Sequence, residues 1–66
     1  MKIDIEQLDR GAKIVGATLI ADPILGWFVL SWGRSAVTVD GDDLRATGQI
    51  NQVCDLIALV ASCEER

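Results

Sequence analysis

The densest group of side chains that can do chemistry in this chain is the acidic segment Asp40–Asp43. Clustered carboxylates are the ligands that hard cations such as Ca²⁺ and Mg²⁺ prefer. The segment lacks the ligand spacing and the terminal glutamate of an EF-hand loop, so the motif does not match. We interpret it as a solvated loop and assign no metal ligands and no cofactor. Binding of a divalent cation or a small ligand by this loop is kept as the alternative function.

Groups for acid–base or nucleophilic catalysis are scarce. The chain has no histidine and no tyrosine, and no base stands near its serines in sequence. A cysteine becomes a nucleophile when a neighbouring cation favours the thiolate. Neither Cys54 nor Cys63 has such a neighbour, and the carboxylate of Glu64 beside Cys63 has the opposite effect. We therefore predict that the protein is not an enzyme.

The two cysteines lie on one predicted helix, which disfavours a disulfide between them. Cys54 and Cys63 point to opposite sides of that helix, about 13 Å apart along its axis, whereas a bridge needs Cα atoms within about 7 Å. Free thiols are typical of reducing compartments, so we expect a cytoplasmic protein.

With 66 residues the chain is expected to form one domain, residues 1–66. Domains this small often gain stability by oligomerisation.

The balance of charge and apolar residues disfavours two classes of partner. The net charge is −4 and the six lysines and arginines are scattered, so no basic stripe is present to neutralise the phosphates of a nucleic acid. The most apolar stretch, Ala12–Trp32, is long enough to cross a bilayer. It carries Asp22-Pro23 at its centre, however, and a central aspartate costs about 2.5–3.5 kcal/mol on insertion. Nucleic-acid and membrane partners are both disfavoured.

Hydrophobic patterns predict four short strands and one long helix. The predicted strands are Lys2–Glu6, Lys13–Ala21, Ile24–Trp32 and Ala36–Asp40, and the predicted helix is Gly48–Arg66. Turn residues separate the strands, and Thr47 is the predicted N-cap of the helix. Short strands joined by turns favour an antiparallel arrangement. The fold class is therefore α+β, a small antiparallel sheet of three to four strands followed by one C-terminal helix packed on it.

The predicted helix is apolar on more than one side. Its main stripe, at helical spacing, consists of Ile50, Val53, Cys54, Ile57, Val60 and Ala61. Beside that stripe runs a second row formed by Leu56, Leu59 and Cys63. A short surface helix needs one stripe to pack on its own sheet. We predict that the main stripe packs on the sheet and that the second row contacts another chain.

The segment Ile24–Trp32 is also apolar on both faces. An antiparallel strand with one wet face should alternate between apolar and polar residues, and this one does not. One helix can cover one face of a small sheet, so a partner can cover the other. Trp27 and Leu25 are on that second face, and tryptophan is enriched at protein interfaces. We assign both residues to the interface.

These patterns favour binding over catalysis. In size, acidity and lack of catalytic residues the chain resembles many phage-borne inhibitors of host machinery, a resemblance that no sequence motif carries and that assigns no residues. The predicted function is that of a small acidic protein-binding module, an inhibitor or accessory factor, that occupies the surface of an unidentified protein. It is also expected to associate with itself, as a homodimer.

Overall fold

A four-stranded antiparallel sheet with two helices packed on one face forms the fold. The computed structural model describes residues 3–64. In chain order the elements are α1 (Ile5–Val15), β1 (Thr18–Asp22), β2 (Trp27–Trp32), β3 (Ser35–Asp40), β4 (Asp43–Thr47) and α2 (Ile50–Glu64). Strand order in the sheet follows chain order, so hairpins join all neighbours. The α+β class and the antiparallel sheet are confirmed, whereas the prediction of a single helix is wrong.

The N-terminal segment predicted as the strand Lys2–Glu6 is the start of α1; Lys2 itself lies outside the described residues. The Asp4 carboxylate caps this helix by accepting hydrogen bonds from two backbone N–H groups of the first turn, at 3.1 and 3.3 Å. Leu8 and Ala12, one turn apart, are its buried residues. Gly16, in the left-handed conformation with φ 78°, ends it. The polar–apolar alternation of residues 2–6 indicates a strand, but the spacing of the buried Leu8 and Ala12 is that of a helix, and the helix is what forms.

The first hairpin is shorter at both ends than the sequence predicts. The predicted strand Lys13–Ala21 begins inside α1, and the strand itself starts only at Thr18. The predicted strand Ile24–Trp32 begins three residues late, because the Asp22 carboxylate accepts hydrogen bonds from two backbone N–H groups of the turn, at 3.0 and 3.1 Å. Such a side-chain bond holds residues 23–26 in a turn and keeps them out of the ladder.

The second half of the sheet contains a strand that sequence patterning misses. The predicted strand Ala36–Asp40 is confirmed as β3, which includes one more residue, Ser35. The residues after the tight Gly41-Asp42 turn form β4, and all five of them are exposed. A strand without a buried side has no apolar alternation; pairing with β3 is what makes it a strand. Thr47 ends β4 and α2 begins at Ile50, so Thr47 is not the N-cap.

The core lies between the inner face of the sheet and both helices. Its buried apolar members are Leu8, Ala12, Phe28, Leu30, Val37, Val39, Leu56, Val60 and Cys63. Leu56 and Cys63, predicted to contact another chain, are 1% and 3% exposed in the core of their own chain, so that assignment is wrong. The reason is α1: it packs beside α2 and supplies, within the same chain, the second surface that the helix requires.

The predicted main stripe of α2 is correct only in part. Val60 is buried, and Val53 and Ile57 are half-buried. Three other members of the stripe, Ile50, Cys54 and Ala61, are exposed. The side of α2 that faces the core is therefore centred on Leu56 and Val60, which pack among buried residues of α1 and of the sheet.

A buried hydroxyl ties the start of α2 to the sheet. Ser35, at the start of β3, is 2% exposed. Its Oγ donates towards the Gln49 carbonyl oxygen at 3.1 Å and towards Gln52 Oε1 at 3.0 Å, two acceptors that share one proton. A buried hydroxyl satisfied in this way fixes where the helix crosses the sheet. The contact brings Gly48, just before the helix, against the backbone of residues 34–35.

Candidate functional site

The face of the sheet opposite the helices is open in the described part of the chain. We call it the outer face. The strand register places its side chains in three rows: Thr18, Ser31, Ala36 and Thr47; Ile20, Val29, Thr38 and Arg45; and Asp22, Trp27, Asp40 and Asp43. Trp27 and Val29 alternate with the buried Phe28 and Leu30, so the two sides of β2 are apolar as the sequence indicates.

The outer face is divided into an apolar half and a polar half. On the β1–β2 half, Trp27 and Val29 are half-buried and Ile20 is 57% exposed. On the β3–β4 half lie charged side chains, of which Arg45 and Asp43 form an ion pair. Apolar contact area with charges beside it is the composition of a protein interface core and its rim.

The turn between β1 and β2 adds two more apolar side chains at the end of the hairpin. Ile24 is 92% exposed and Leu25 is 70% exposed. Trp27 lies on the outer face as predicted, whereas Leu25, which was assigned to the same sheet face, lies in the turn two residues before β2 begins. We define the hairpin surface as Ile20, Ile24, Leu25, Trp27 and Val29.

A cleft of about 470 Å³ opens at the same end of the molecule. Its lining is mostly apolar and comes from the N-terminal segment, the β1–β2 turn and the β3–β4 turn: Ile3, Ile5, Ala21, Asp22, Pro23, Gly26, Trp27, Phe28, Val39 and Gly41. Recesses with a mostly apolar lining are suited to apolar groups.

The row of α2 residues assigned to the interface does not form one surface. Leu56 and Cys63 belong to the core, whereas Leu59 is half-buried and lines a groove between α1 and α2. The helices approach closely there, because a Cβ at Gly11 would lie 2.8 Å from Leu59 Cδ1. The sequence signal that could have revealed this is the Leu8–Ala12 spacing of α1, which marks a second helix able to receive the row.

The acidic segment is a β-turn region that an arginine partly neutralises. Asp40 and Asp43 face each other across the β3–β4 register. Arg45 places its Nε and its Nη2 each 3.0 Å from Asp43 Oδ2. Within residues 3–64, no group of three or more His, Cys, Asp or Glu side chains is arranged to hold a metal ion. The geometry of the described loop therefore adds nothing in support of the cation alternative.

Replacing both Asp42 and Asp43 with asparagine should change the free energy of unfolding by about 1 kcal/mol or less. Exposed ion pairs such as Arg45–Asp43 contribute little, because water and salt screen them. Urea denaturation of the variant and the wild type measures the difference. A melting temperature that rises with Ca²⁺ or Mg²⁺ in the wild type, and not in the variant, would instead show a cation bound by the loop.

Neither helix in the described part of the chain has the length and apolarity that crossing a membrane requires. Three of the eight large apolar side chains that are exposed in the described residues, Ile20, Ile24 and Leu25, lie on the short β1–β2 hairpin. On the hairpin, Ile20 lies opposite Val29 in the strand register and Leu25 precedes Trp27 by two residues, so exposed and half-buried apolar side chains are grouped there. This clustering makes the hairpin surface the candidate functional site.

The chemistry of the hairpin surface is mostly apolar. It offers large apolar side chains, one indole and a nearby cleft, a composition suited to recognition. Comparison of the chain with models of protein families, with curated proteins and with solved structures gives no match.

Proposed function

We propose that this protein is a protein-binding module that acts by occupying the surface of a partner, with the hairpin surface as its contact area, and that it also associates with itself. The observation that supports this function is the grouping of the exposed Ile20, Ile24 and Leu25 with the half-buried Trp27 and Val29 on one hairpin, whose outer face no described element covers. Transfer of a large apolar side chain from water into a contact contributes about 1.5–3 kcal/mol. Binding is therefore the process that this surface favours.

Within the hairpin surface, Trp27 is the expected anchor. Tryptophan supplies a large rigid apolar area together with one N–H donor, and interface energy is usually concentrated in a few such residues. Trp27 is half-buried on the outer face, opposite Asp22 and Asp40 in the strand register. Leu25 and Ile24 project beside it from the turn and extend the contact.

Electrostatics defines the kind of protein that would bind. The chain carries a net charge of −4, and Asp22, Asp40 and Asp43 lie in the same row of the outer face as Trp27. A partner with an apolar groove and basic residues around it complements this arrangement. Charges at the rim mainly accelerate association and exclude wrong partners, whereas the apolar centre supplies affinity.

Serine substitutions in the hairpin should strongly reduce partner capture. With the chain immobilised and exposed to extract of the cells that produce it, Leu25→Ser and Trp27→Ser should each retain at least about tenfold less partner than the wild type, which corresponds to about 1.4 kcal/mol. Retained proteins are quantified by mass spectrometry. Circular dichroism checks that each variant keeps its fold.

The matched control is Ile50→Ser. Ile50 is 80% exposed, but it begins α2 at the opposite end of the sheet from the turn at residues 23–26. The control should capture as much partner as the wild type does. Retention that is indifferent to both hairpin substitutions, or that is lost with Ile50→Ser alone, would contradict the assignment of the surface.

A further inference from the structure

We propose that the outer face binds an arginine side chain of the partner protein at Trp27, between the carboxylates of Asp22 and Asp40. We call these three residues the arginine site. The inference rests on the proposed function and names the group of the partner that the hairpin surface recognises.

The strand register sets the indole between two carboxylates. Asp22 lies opposite Trp27 across the β1–β2 pair, and Asp40 lies opposite Trp27 across the β2–β3 pair. The next residues along β2 and before Asp40 on β3, Phe28 and Val39, are buried on the inner face, so the three side chains of the arginine site belong to the outer face. Opposed residues have Cβ atoms about 4.5–5.5 Å apart, so each carboxylate is a direct neighbour of the indole.

Within residues 3–64, the two carboxylates have no cationic partner. Neither Asp22 nor Asp40 forms an ion pair there, and Arg45, in the neighbouring row of the outer face, pairs with Asp43 instead. Asp40 is exposed, and Asp22 is half-buried and uses Oδ1 to accept the N–H groups of its turn. Two negative charges beside one indole are complementary to a positive group of a partner.

The spacing of the two carboxylates favours a guanidinium over smaller cations. Neighbouring strands lie about 4.7–4.9 Å apart, so Asp22 and Asp40, on either side of β2, are separated by roughly 9–10 Å at the backbone. A calcium ion holds its oxygen ligands at about 2.3–2.6 Å, and an ammonium donates over about 2.7–2.9 Å, so both are small for this gap. A guanidinium carries five N–H donors around a wider plane and also stacks on aromatic rings.

The hairpin surface supplies the apolar contact that an arginine stem requires. Leu25 is 70% exposed and precedes Trp27 by two residues. The aliphatic stem of an arginine packs on apolar surface while its charged end stays with polar groups. The apolar hairpin and the acidic row beside it therefore suit the two ends of one side chain.

Peptide titration tests the preference for a guanidinium. The probes are three blocked tripeptides, acetyl-Leu-Xaa-Leu-amide, in which the central residue is arginine, citrulline or lysine; citrulline has nearly the shape of arginine without its charge. Each is titrated into the isotope-labelled full chain at low salt, and the indole N–H signal of Trp27 in NMR spectra gives the dissociation constant. The signal of Trp32, which packs against the core, is the internal reference.

The arginine peptide should bind at least about fivefold tighter than the citrulline peptide and at least about twofold tighter than the lysine peptide. Its binding should move the Trp27 signal and leave the Trp32 signal in place. Equal affinity for arginine and citrulline, lysine binding as tightly as arginine, or no shift of Trp27 at millimolar arginine peptide would each overturn the proposal.

Asparagine variants locate the charge that matters. Asp40→Asn and Asp22→Asn each remove one carboxylate charge, and an asparagine at position 22 keeps the side-chain oxygen that the turn requires. Each should weaken binding of the arginine peptide about threefold or more and leave the citrulline peptide unaffected. The matched control is Asp55→Asn, which removes an exposed charge from α2, a helix on the other face of the sheet.

The control should bind the arginine peptide as the wild type does. Equal weakening in Asp55→Asn and Asp40→Asn would show an effect of net charge alone and would refute the arginine site. Circular dichroism checks that every variant is folded, so a loss of binding reports the site.

The arginine site and the binding function can fail separately. Capture of a partner that depends on Leu25 but is unchanged in the Asp22→Asn, Asp40→Asn double variant refutes the arginine site and leaves the binding function standing. A chain that prefers the arginine peptide but captures no protein refutes the binding function and leaves the guanidinium preference intact.

Discussion

Gly48→Ala should unfold a large part of the protein at room temperature. Gly48 has φ 114°, a conformation that other residues rarely adopt, and a Cβ there would lie 2.3 Å from the backbone oxygen of Arg34 and 2.5 Å from the Cα of Ser35. Both contacts are with backbone, which cannot rotate away. Strain and overpacking each cost about 1–3 kcal/mol. Their sum is a large share of the stability of so small a domain.

Gly41→Ala is the matched control for this prediction. Gly41 also has a positive φ, 59°, but a Cβ there would meet no atom within 4 Å. The free energy of unfolding of Gly41→Ala should therefore fall only by the cost of placing alanine in the left-handed conformation, about 1–2 kcal/mol. Urea denaturation followed by circular dichroism compares the two variants. Equal losses would show that the contact of Gly48 with the start of β3 does not limit stability.

Leu56→Ala should destabilise the protein by about 2–5 kcal/mol, the usual effect of removing a large buried side chain and leaving a cavity. Leu56 is 1% exposed and packs among residues of both helices and the sheet. Ile50→Ala, at a residue on the same helix that is 80% exposed, should change stability by about 0.5 kcal/mol or less. Thermal melts of both variants at several protein concentrations measure the difference.

The same thermal melts distinguish whether Leu56 packs in the core of its own chain or contacts another chain. If Leu56 stabilises its own chain, as its burial indicates, the loss in Leu56→Ala persists at every protein concentration. If Leu56 contacted another chain, the loss would fall as concentration rises, because association is driven by mass action. A concentration-dependent loss would restore Leu56 to the interface that the helical pattern predicts.

Local signals in the residues determined much of this fold. The helical pattern of α2, the alternation of β3 and the Asp22-Pro23 turn were each recognisable because short-range chemistry decides them: hydrophobic spacing for the helix and strand, and a carboxylate bound to the backbone of its own turn. The apolar character of both sides of β2 likewise indicated an open face that carries Trp27.

Only the tertiary structure decided which surfaces of those elements meet. The strand β4 has no buried side and exists because β3 offers it hydrogen bonds. The second apolar row of α2 predicts that some apolar surface packs against it. The pattern on one helix does not show whether that surface belongs to the same chain or to another. In this structure the surface belongs to α1. The first residues of α1 alternate between polar and apolar as a strand does, but the N-cap at Asp4 and the burial of Leu8 stabilise a helix. Burial depends on how the elements pack in the folded chain. For this reason Leu56, which the helical pattern assigns to an interface, lies in the core, whereas the β1–β2 turn is exposed.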